Sequence, residues 1–290
     1  MKALKNNLLV IVGPTSSGKS ELAVKLAKKY GGEIISADSR QVYCGMNIGS
    51  GKIEGRLKKG GYIYKGISHY GIDVASPKIQ YSVARFKSLA ESAIKDITAR
   101  GKLPILCGGT GHWIDAVAFD QDLPAVNPDP KLRRRLEKKS TAELFAMLKR
   151  LDPKRAKTID KKNPRRLIRA LEIVITTGKP VPALKQQSPY NILWLGISMS
   201  QEKLYKKIEQ RLDQRLKQGM LHEVKKLHRQ GASWKRLEEF GLEYKYCALR
   251  LQKKLSKEEM RNQLLQAIKQ YTKRQMTWWK RNKDIKWIEA

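Results

Sequence analysis

Acidic residues are what this sequence has too few of: its 290 residues carry 27 Asp and Glu against 60 Lys and Arg, a formal charge of +33. A chain so charged surrounds itself with positive potential and favours a polyanionic partner, RNA or DNA first. A uniformly Lys-rich proteome would produce the same excess. Cysteine is scarce as well. Cys44, Cys107 and Cys247 are odd in number, far apart and without C-x-x-C spacing, so neither a disulfide framework nor a zinc site is suggested, and reduced, mostly buried thiols are expected. No apolar run approaches the roughly 18 to 20 residues of a membrane span, and the opening MKALKNNLLVIV has an apolar part of only about five residues, too short for a signal peptide. A cytosolic protein is the expectation. Internal repeats and low-complexity tracts are also missing, and a hydrophobic fraction of 41% fits one large or two modest domains with real cores.

What is present is an alternation of strands and helices. LLVIV at 8–12 is a short apolar, partly β-branched run followed by Gly-Pro and then a helix-like pattern from Glu21 to Lys29. Two further strands are EIISA at 33–37 and LPILC at 103–107, the latter entered from the helical YSVARFKSLAESAIKDITARG. This order predicts an α/β fold, a parallel sheet flanked by helices. After Phe119 the texture changes to DQDLPAVNPDP and then to a charged helical region in which KLRRRLEKK, 131–139, has six basic side chains in nine. Ser140 with Glu143 predicts a capping box, and NPRRLIRALEIVITTGKP reads as a helix stopped by Gly178 and Pro180. ILWLGISM at 192–199 returns to strand. The predicted organisation is a core in two parts, 1–120 and 191–290, interrupted by an all-helical insertion over 121–190. From Ser200 onward the chain reads as helical. Leu204, Ile208, Leu212 and Leu216 mark a buried stripe, Lys203, Lys207, Arg211 and Arg215 the wet side, and Ser256 with Glu259 a second capping box.

GPTSSGKS, comprising Gly13, Pro14, Thr15, Ser16, Ser17, Gly18, Lys19 and Ser20, matches G-x-x-x-x-G-K-[ST] between a strand and a helix. Such a P-loop turns its backbone N–H groups onto an anion at a helix N-terminus, with Lys19 for the terminal phosphates and the Ser20 hydroxyl for Mg²⁺. One acid is conspicuously missing. A nucleotide hydrolase needs a second strand ending in an Asp for its magnesium shell, whereas LPILC runs into Gly-Gly-Thr. The nearest acid is Asp38, at the carboxyl end of the second strand, where ligands of such sheets bind. A helix cap is the alternative role for it.

GPTSSGKS, ADSRQVYCGMNIG, YSVARF, GGTG, RRLIRALEI with TTGKP, and YTKRQMTWW stand in the order that resembles the tRNA dimethylallyltransferase (tRNA isopentenyltransferase) family, over about 8 to 280. The resemblance implies transfer of a dimethylallyl group from its diphosphate to the exocyclic amine of the adenine 3′ of a tRNA anticodon, with Mg²⁺ as cofactor. It implies Asp38 as general base, Thr15 and Thr110 as groups positioning the diphosphate and the target nucleotide, and Ser39, Arg40 and Gln41 as the base-contacting segment, the Gln amide matching an adenine edge. Arg133 and the run Arg165, Arg166, Leu167, Ile168, Arg169, together with Lys273, Arg274 and Lys280, are expected to grip tRNA. A monomer is the family-based default. The chain departs from the family at His112-Trp113, usually Leu-Tyr, and at FGLEYKYCA, 240–248, where Ile-Gly-Tyr-Lys-Glu is usual. Both bear on substrate preference rather than reaction type. His69 is expected to be structural, and Trp278 and Trp279 are given no site role. The residues alone leave open a P-loop kinase using ATP, and an RNA-binding protein whose P-loop is structural.

Overall fold

The computed structural model describes residues 7–58, 61–124, 126–185 and 187–289. The first six residues, on which the reading of the N-terminus partly rests, and Ala125, in the expected break before the insertion, lie outside them. The chain divides into two compact units, Met1–Ala118 with Ser188–Ala290, and Phe119–Gln187.

In the larger unit, β1 (Asn7–Val12), β2 (Gly32–Ala37), β3 (Arg56–Lys58), β4 (Gly61–Tyr64), β5 (Ile67–Tyr70), β6 (Leu103–Gly108), β7 (Asn191–Ser198) and β8 (Lys286–Glu289) form one sheet in the order β3-β4-β5-β2-β6-β1-β7-β8. From β5 to β8 all neighbours are parallel, while β3, β4 and β5 pair antiparallel. The central strands are near-continuous apolar runs because both faces are covered. Leu9, Ile11, Ile34 and Ile105 pack against Ala23, Val24 and Ala27 of helix α1 (Lys19–Tyr30). Helix α2 (Val83–Ala99) starts at Ser82, whose hydroxyl accepts from Arg85 N, and helix α3 (Gly111–Ala118) follows β6. The expected parallel core is present. The antiparallel extension was not foreseen, its strands being three or four residues long, nor was β8, a short edge strand open to solvent in a stretch expected to be helical.

The smaller unit is all helical: α4 (Pro130–Glu137), α5 (Thr141–Leu151), α6 (Pro153–Thr158) and α7 (Pro164–Thr177). Its core is its own, with Leu136, Leu144, Leu148, Leu167 and Leu171 at its centre. The Ser140–Glu143 capping box forms, and Gly178 ends α7 in the left-handed region at φ 66°. The larger unit ends in α8 (Gln201–Lys217), α9 (Met220–Arg229), α10 (Trp234–Phe240), α11 (Leu242–Leu251) and the long α12 (Lys257–Trp279), opened by the Ser256–Glu259 capping box. Cys107 and Cys247 are buried and Cys44 exposed, all as free thiols.

At the amino edge of the sheet, Glu33 of β2 accepts from Arg100 at 2.8 and 2.7 Å, from Lys102 at 2.7 Å and from Tyr70 at 2.8 Å. The Arg100 hydrogen bonds, outweighing burial, hold its carboxyl down to about 2. A depressed carboxylate contributes stability that is complete above its unfolded value near 4.5 and is lost as pH falls toward 2. Glu33→Gln is therefore expected to lower unfolding free energy at pH 7 by about 1–2 kcal/mol, both cations keeping some solvent, with the gap to wild type closing below pH 4.5. Urea titrations at pH 3, 5 and 7 measure it.

Candidate active site

The loop after β1 is shaped by backbone conformations that few residues accept. Gly18, at φ 88° and heading α1, needs the freedom of glycine, and Ser16 stands in the left-handed region at φ 65°, a strained position for a residue with a side chain. The Lys19 ammonium folds back to donate to Pro14 O at 2.9 Å, closing the loop. Burial pushes its pKa down, and the negative charge of Asp38 works against that shift. Ser17 Oγ is buried with no hydrogen-bond partner among the described residues. Ser20 is exposed on the first turn of α1.

Asp38 follows β2, and parallel pairing decides where it stands. Ala37 lies opposite Gly108 of β6, and Ile11 of β1 opposite Cys107 of β6, so β1 and β2 end at the same sheet edge with only β6 between them. Two strand spacings separate them, about 10 Å. Asp38 Oδ1 accepts from the amides of Arg40 at 2.8 Å and Gln41 at 3.4 Å, so it caps the turn that follows. Its second oxygen accepts nothing among the described residues. Thr110 braces the same turn: its amide donates to Ala37 O, and its Oγ1 accepts from Ser39 N at 3.1 Å. Arg40 points inward, donating to Ser39 O with its guanidinium 5.5 Å from the Phe240 ring, and burial lowers its pKa. Tyr271, on α12, is pushed up to about 12 by burial and then by the charge of Asp38.

Several side chains differ from what the sequence led us to expect. Gln41 does not hold out a free amide: Ser36 Oγ donates to its Oε1 at 3.0 Å, and its Nε2 donates to Gly51 O at 3.3 Å. Arg211 and Arg215 are not on the wet side of α8. Arg215 is buried, and Arg211 Nη1 lies 3.5 Å from Ser16 Oγ of the P-loop, its pKa lowered to about 10 by burial and then by Arg215. A stripe repeating every four residues drifts around a helix that turns every 3.6, which brings these cations inward at its end. Gln275, within the quoted KRQMTWW, is buried and joins two site loops, accepting from Thr15 N at 2.9 Å and donating to Gly109 O at 2.9 Å. Trp113 is a core residue stacked 4.5 Å from Phe86, His69 is buried with Nδ1 2.9 Å from Ile67 O, and Trp279 is buried.

In the helical unit the expected contacts separate into two kinds. Glu172, with no exposed surface, receives Arg133 at 2.8 and 2.7 Å, Arg169 at 2.5 Å and Asp129 N at 2.8 Å. Burial disfavours its charge, but hydrogen bonds from Arg133 and Arg169 bring the carboxyl below its usual range. Arg165 and Arg166 are exposed and have no ion pair among the described residues. Leu167 is a correction: it is wholly buried in the core of this unit, so its side chain cannot touch a ligand, and Ile168 packs against the same core. Lys273, Arg274 and Lys280 of the larger unit are exposed.

Three comparisons bear on this arrangement. Residues 41–282 match the IPP transferase family and residues 6–66 the isopentenyl transferase family. The chain is 40% identical to a tRNA dimethylallyltransferase of Anoxybacillus flavithermus, covering 97% of this chain and 90% of that one, and 39% identical to one of Pelotomaculum thermopropionicum, covering 98% and 91%. Among solved structures it resembles the full-length tRNA isopentenylpyrophosphate transferase of Bacillus halodurans, with TM-score 0.71 and 36% identity over 98% of this chain and 90% of that one. A eukaryotic dimethylallyltransferase acting on tRNA gives TM-score 0.80 and 27% identity over 98% and 74%.

Beside the site, Asp115 of α3 accepts from Trp278 Nε1 at 3.1 Å, and burial, opposed by Arg281 and that hydrogen bond, pushes its carboxyl up to about 6. A raised carboxyl keeps its proton in the folded state between its unfolded value near 3.8 and about 6, so its contribution to stability falls as pH rises through that window. Asp115→Asn is expected to abolish this component and to be the more stable form above pH 6, by about 1–2 kcal/mol allowing for partial solvent access. Paired denaturation curves from pH 4 to 7 measure the difference.

Proposed function

This chain belongs to the IPP transferase family and transfers a dimethylallyl group to tRNA, and from that premise we propose which of its residues perform the transfer. The observation that carries the reading is the shared sheet edge: the P-loop after β1 and Asp38 after β2 stand either side of β6, with the charges of Lys19 and Asp38 attracting each other. In this reading the P-loop holds the diphosphate of dimethylallyl diphosphate. As the allylic C–O bond breaks, negative charge grows on the leaving oxygens, and the loop amides, Lys19 and Arg211 stabilise it where it forms. Lys19 and Arg211 both stand partly out of water, which lowers their pKa values and makes their charge worth more to an anion than it would be in bulk solvent.

The acceptor is the exocyclic amine of the adenine 3′ of the anticodon, a weak nucleophile because its lone pair is delocalised into the ring. Asp38 takes the amine proton through its unoccupied oxygen as the N–C bond forms. The base must leave the anticodon stack to reach it. Thr110 is a positioning residue here: it fixes the turn from which Asp38 projects. Mg²⁺ fits the donor set in a limited way. No cluster of three or more His, Cys, Asp or Glu is present among the described residues, so the exposed Ser20 hydroxyl would be the protein's ligand and the diphosphate oxygens and water the rest, as suits a hard ion that keeps much of its hydration. When bound, it would neutralise charge on the leaving diphosphate. None of the helices among the described residues is long and apolar enough to cross a membrane. A cytosolic monomer is part of the same proposal.

Incubation with labelled dimethylallyl diphosphate, Mg²⁺ and bulk tRNA should place label in RNA. Asp38→Asn should reduce the rate by about 10²–10⁴-fold while diphosphate still binds, and near-normal turnover would remove Asp38 from the role of base. Phosphoryl transfer from ATP without RNA would instead favour a kinase.

Exposed Arg165 and Arg166 grip tRNA phosphates in this reading, whereas Arg133 and Arg169 hold the helical unit together through Glu172. Replacing Arg165 and Arg166 together by Ala should weaken tRNA binding and lower the slope of log affinity against log salt by about 2, leaving the melting temperature unchanged. Arg133→Ala should lower the melting temperature, which calorimetry reads directly.

A further inference from the structure

The segment at which the sequence departs from the family, FGLEYKYCA, contains a strained residue. Leu242 opens α11 at φ 39°, in the left-handed region, and the next side chain, Glu243, is turned inward to Arg215 of α8. Their Nη1–Oε1 distance is 3.0 Å, and the side chains are 11% and 14% exposed, Arg215 and Glu243 respectively. Arg215 Nη1 also lies 3.3 Å from Gly49 O. One turn earlier on α8, Arg211 reaches Ser16 Oγ and Gly51 O, both at 3.5 Å. A side chain at Gly51 would run into both guanidinium groups, which therefore share the small turn Gly49–Gly51.

That turn is gripped from its other side as well. Glu223 of α9 accepts from the amides of Asn47, Ile48 and Gly49 at 2.8, 2.7 and 3.0 Å, and Tyr244, next to Glu243, donates to the same carboxylate at 3.0 Å. Gly51 O in turn receives Gln41, in the turn that Asp38 caps. Two guanidinium groups this close repel each other. Replacing a buried ion pair by apolar residues of similar volume is often neutral or stabilising, so burial alone does not make this pair a source of stability.

We propose that Arg215 and Glu243 are a positioning pair for the transfer reaction: Glu243 neutralises the rear guanidinium and fixes it on Gly49, which leaves Arg211 alone turned toward the P-loop. The inference rests on the reading that the P-loop takes an allylic diphosphate. Neither residue touches the reacting atoms. Their effect passes through the direction of Arg211 and the place of the Gly49–Gly51 turn.

A double-mutant cycle tests it, with Glu243→Gln, Arg215→Met and the pair combined, measuring affinity for inorganic diphosphate, KM for dimethylallyl diphosphate, affinity for tRNA and melting temperature. Each single substitution should weaken diphosphate binding about 5- to 30-fold and raise KM in parallel, leave tRNA affinity within about 2-fold, and lose no more when combined than the worse single does alone. Unchanged diphosphate affinity, tighter binding in Glu243→Gln, additive losses, or an equal loss of tRNA affinity would each overturn the pair. Should a single variant fail to fold, Glu243→Asp carries the test, since it keeps the charge at a shorter reach and should show the same selective weakening. Wild-type chain that binds no diphosphate would sink the functional reading itself, whereas wild type that binds and transfers, alongside variants that match it, would sink only the pair.

Discussion

The parallel pairing of β1, β6 and β2 is the constraint on which the site depends. Parallel strands end on one edge, so a phosphate loop after one and a carboxylate after another are brought to the same side of the molecule without direct contact. Spacing does the rest. With a single strand between them, cation and carboxylate are near enough to influence each other's charge and far enough apart to admit a ligand. The fixed end of β6, Gly108–Gly109–Thr110, carries no acid, and its threonine serves the neighbouring turn.

Around this edge the helices act as braces. Gln275 ties the P-loop to the turn after β6 with both ends of one amide, so α12 registers two loops at once. Glu223 fills a nest of three successive amides as an anion would, and Arg215 and Arg211 take the carbonyls of the same turn. Buried polar groups joined in this way specify one geometry, because breaking any link leaves a desolvated partner behind. Transfer chemistry needs such rigidity, since donors aimed at developing charge help only if they need no reorganisation.

The basic excess has more than one use. In the helical unit, Glu172 draws in Arg133 and Arg169 and spends their charge on holding α4 and α7 together, whereas Arg165 and Arg166 remain in water. Position on α7 separates the two groups: Arg169, three residues before Glu172, shares its face, while Arg165 and Arg166 lie in the first turn, beyond the reach of any acid described. Net charge therefore overstates the cationic surface available to a polyanion.

Much of this was legible in order and composition. The P-loop, Asp38, the strands β1, β2, β6 and β7, both capping boxes and the helical unit are local signals, set by apolar runs, glycine positions and side chains that bond to their own backbone within four residues. The short antiparallel strands, β8, the inward turn of Arg211 and Arg215 and the enclosure of Gln41 were not. The antiparallel strands pair with near neighbours but are too short to show a pattern of alternation, whereas β8 and the two arginines depend on partners far along the chain, Ser16 in the case of Arg211, and a lone cation on an amphipathic helix reads the same whether water or a distant loop awaits it. The sequence by itself determined which chemical groups the chain owns and the elements that carry them, because short-range bonding decides those. Only the tertiary structure decided which of the groups are free to meet a ligand and which are consumed in holding the others still, because burial and long-range pairing, not residue type, determine whether a charge keeps its water.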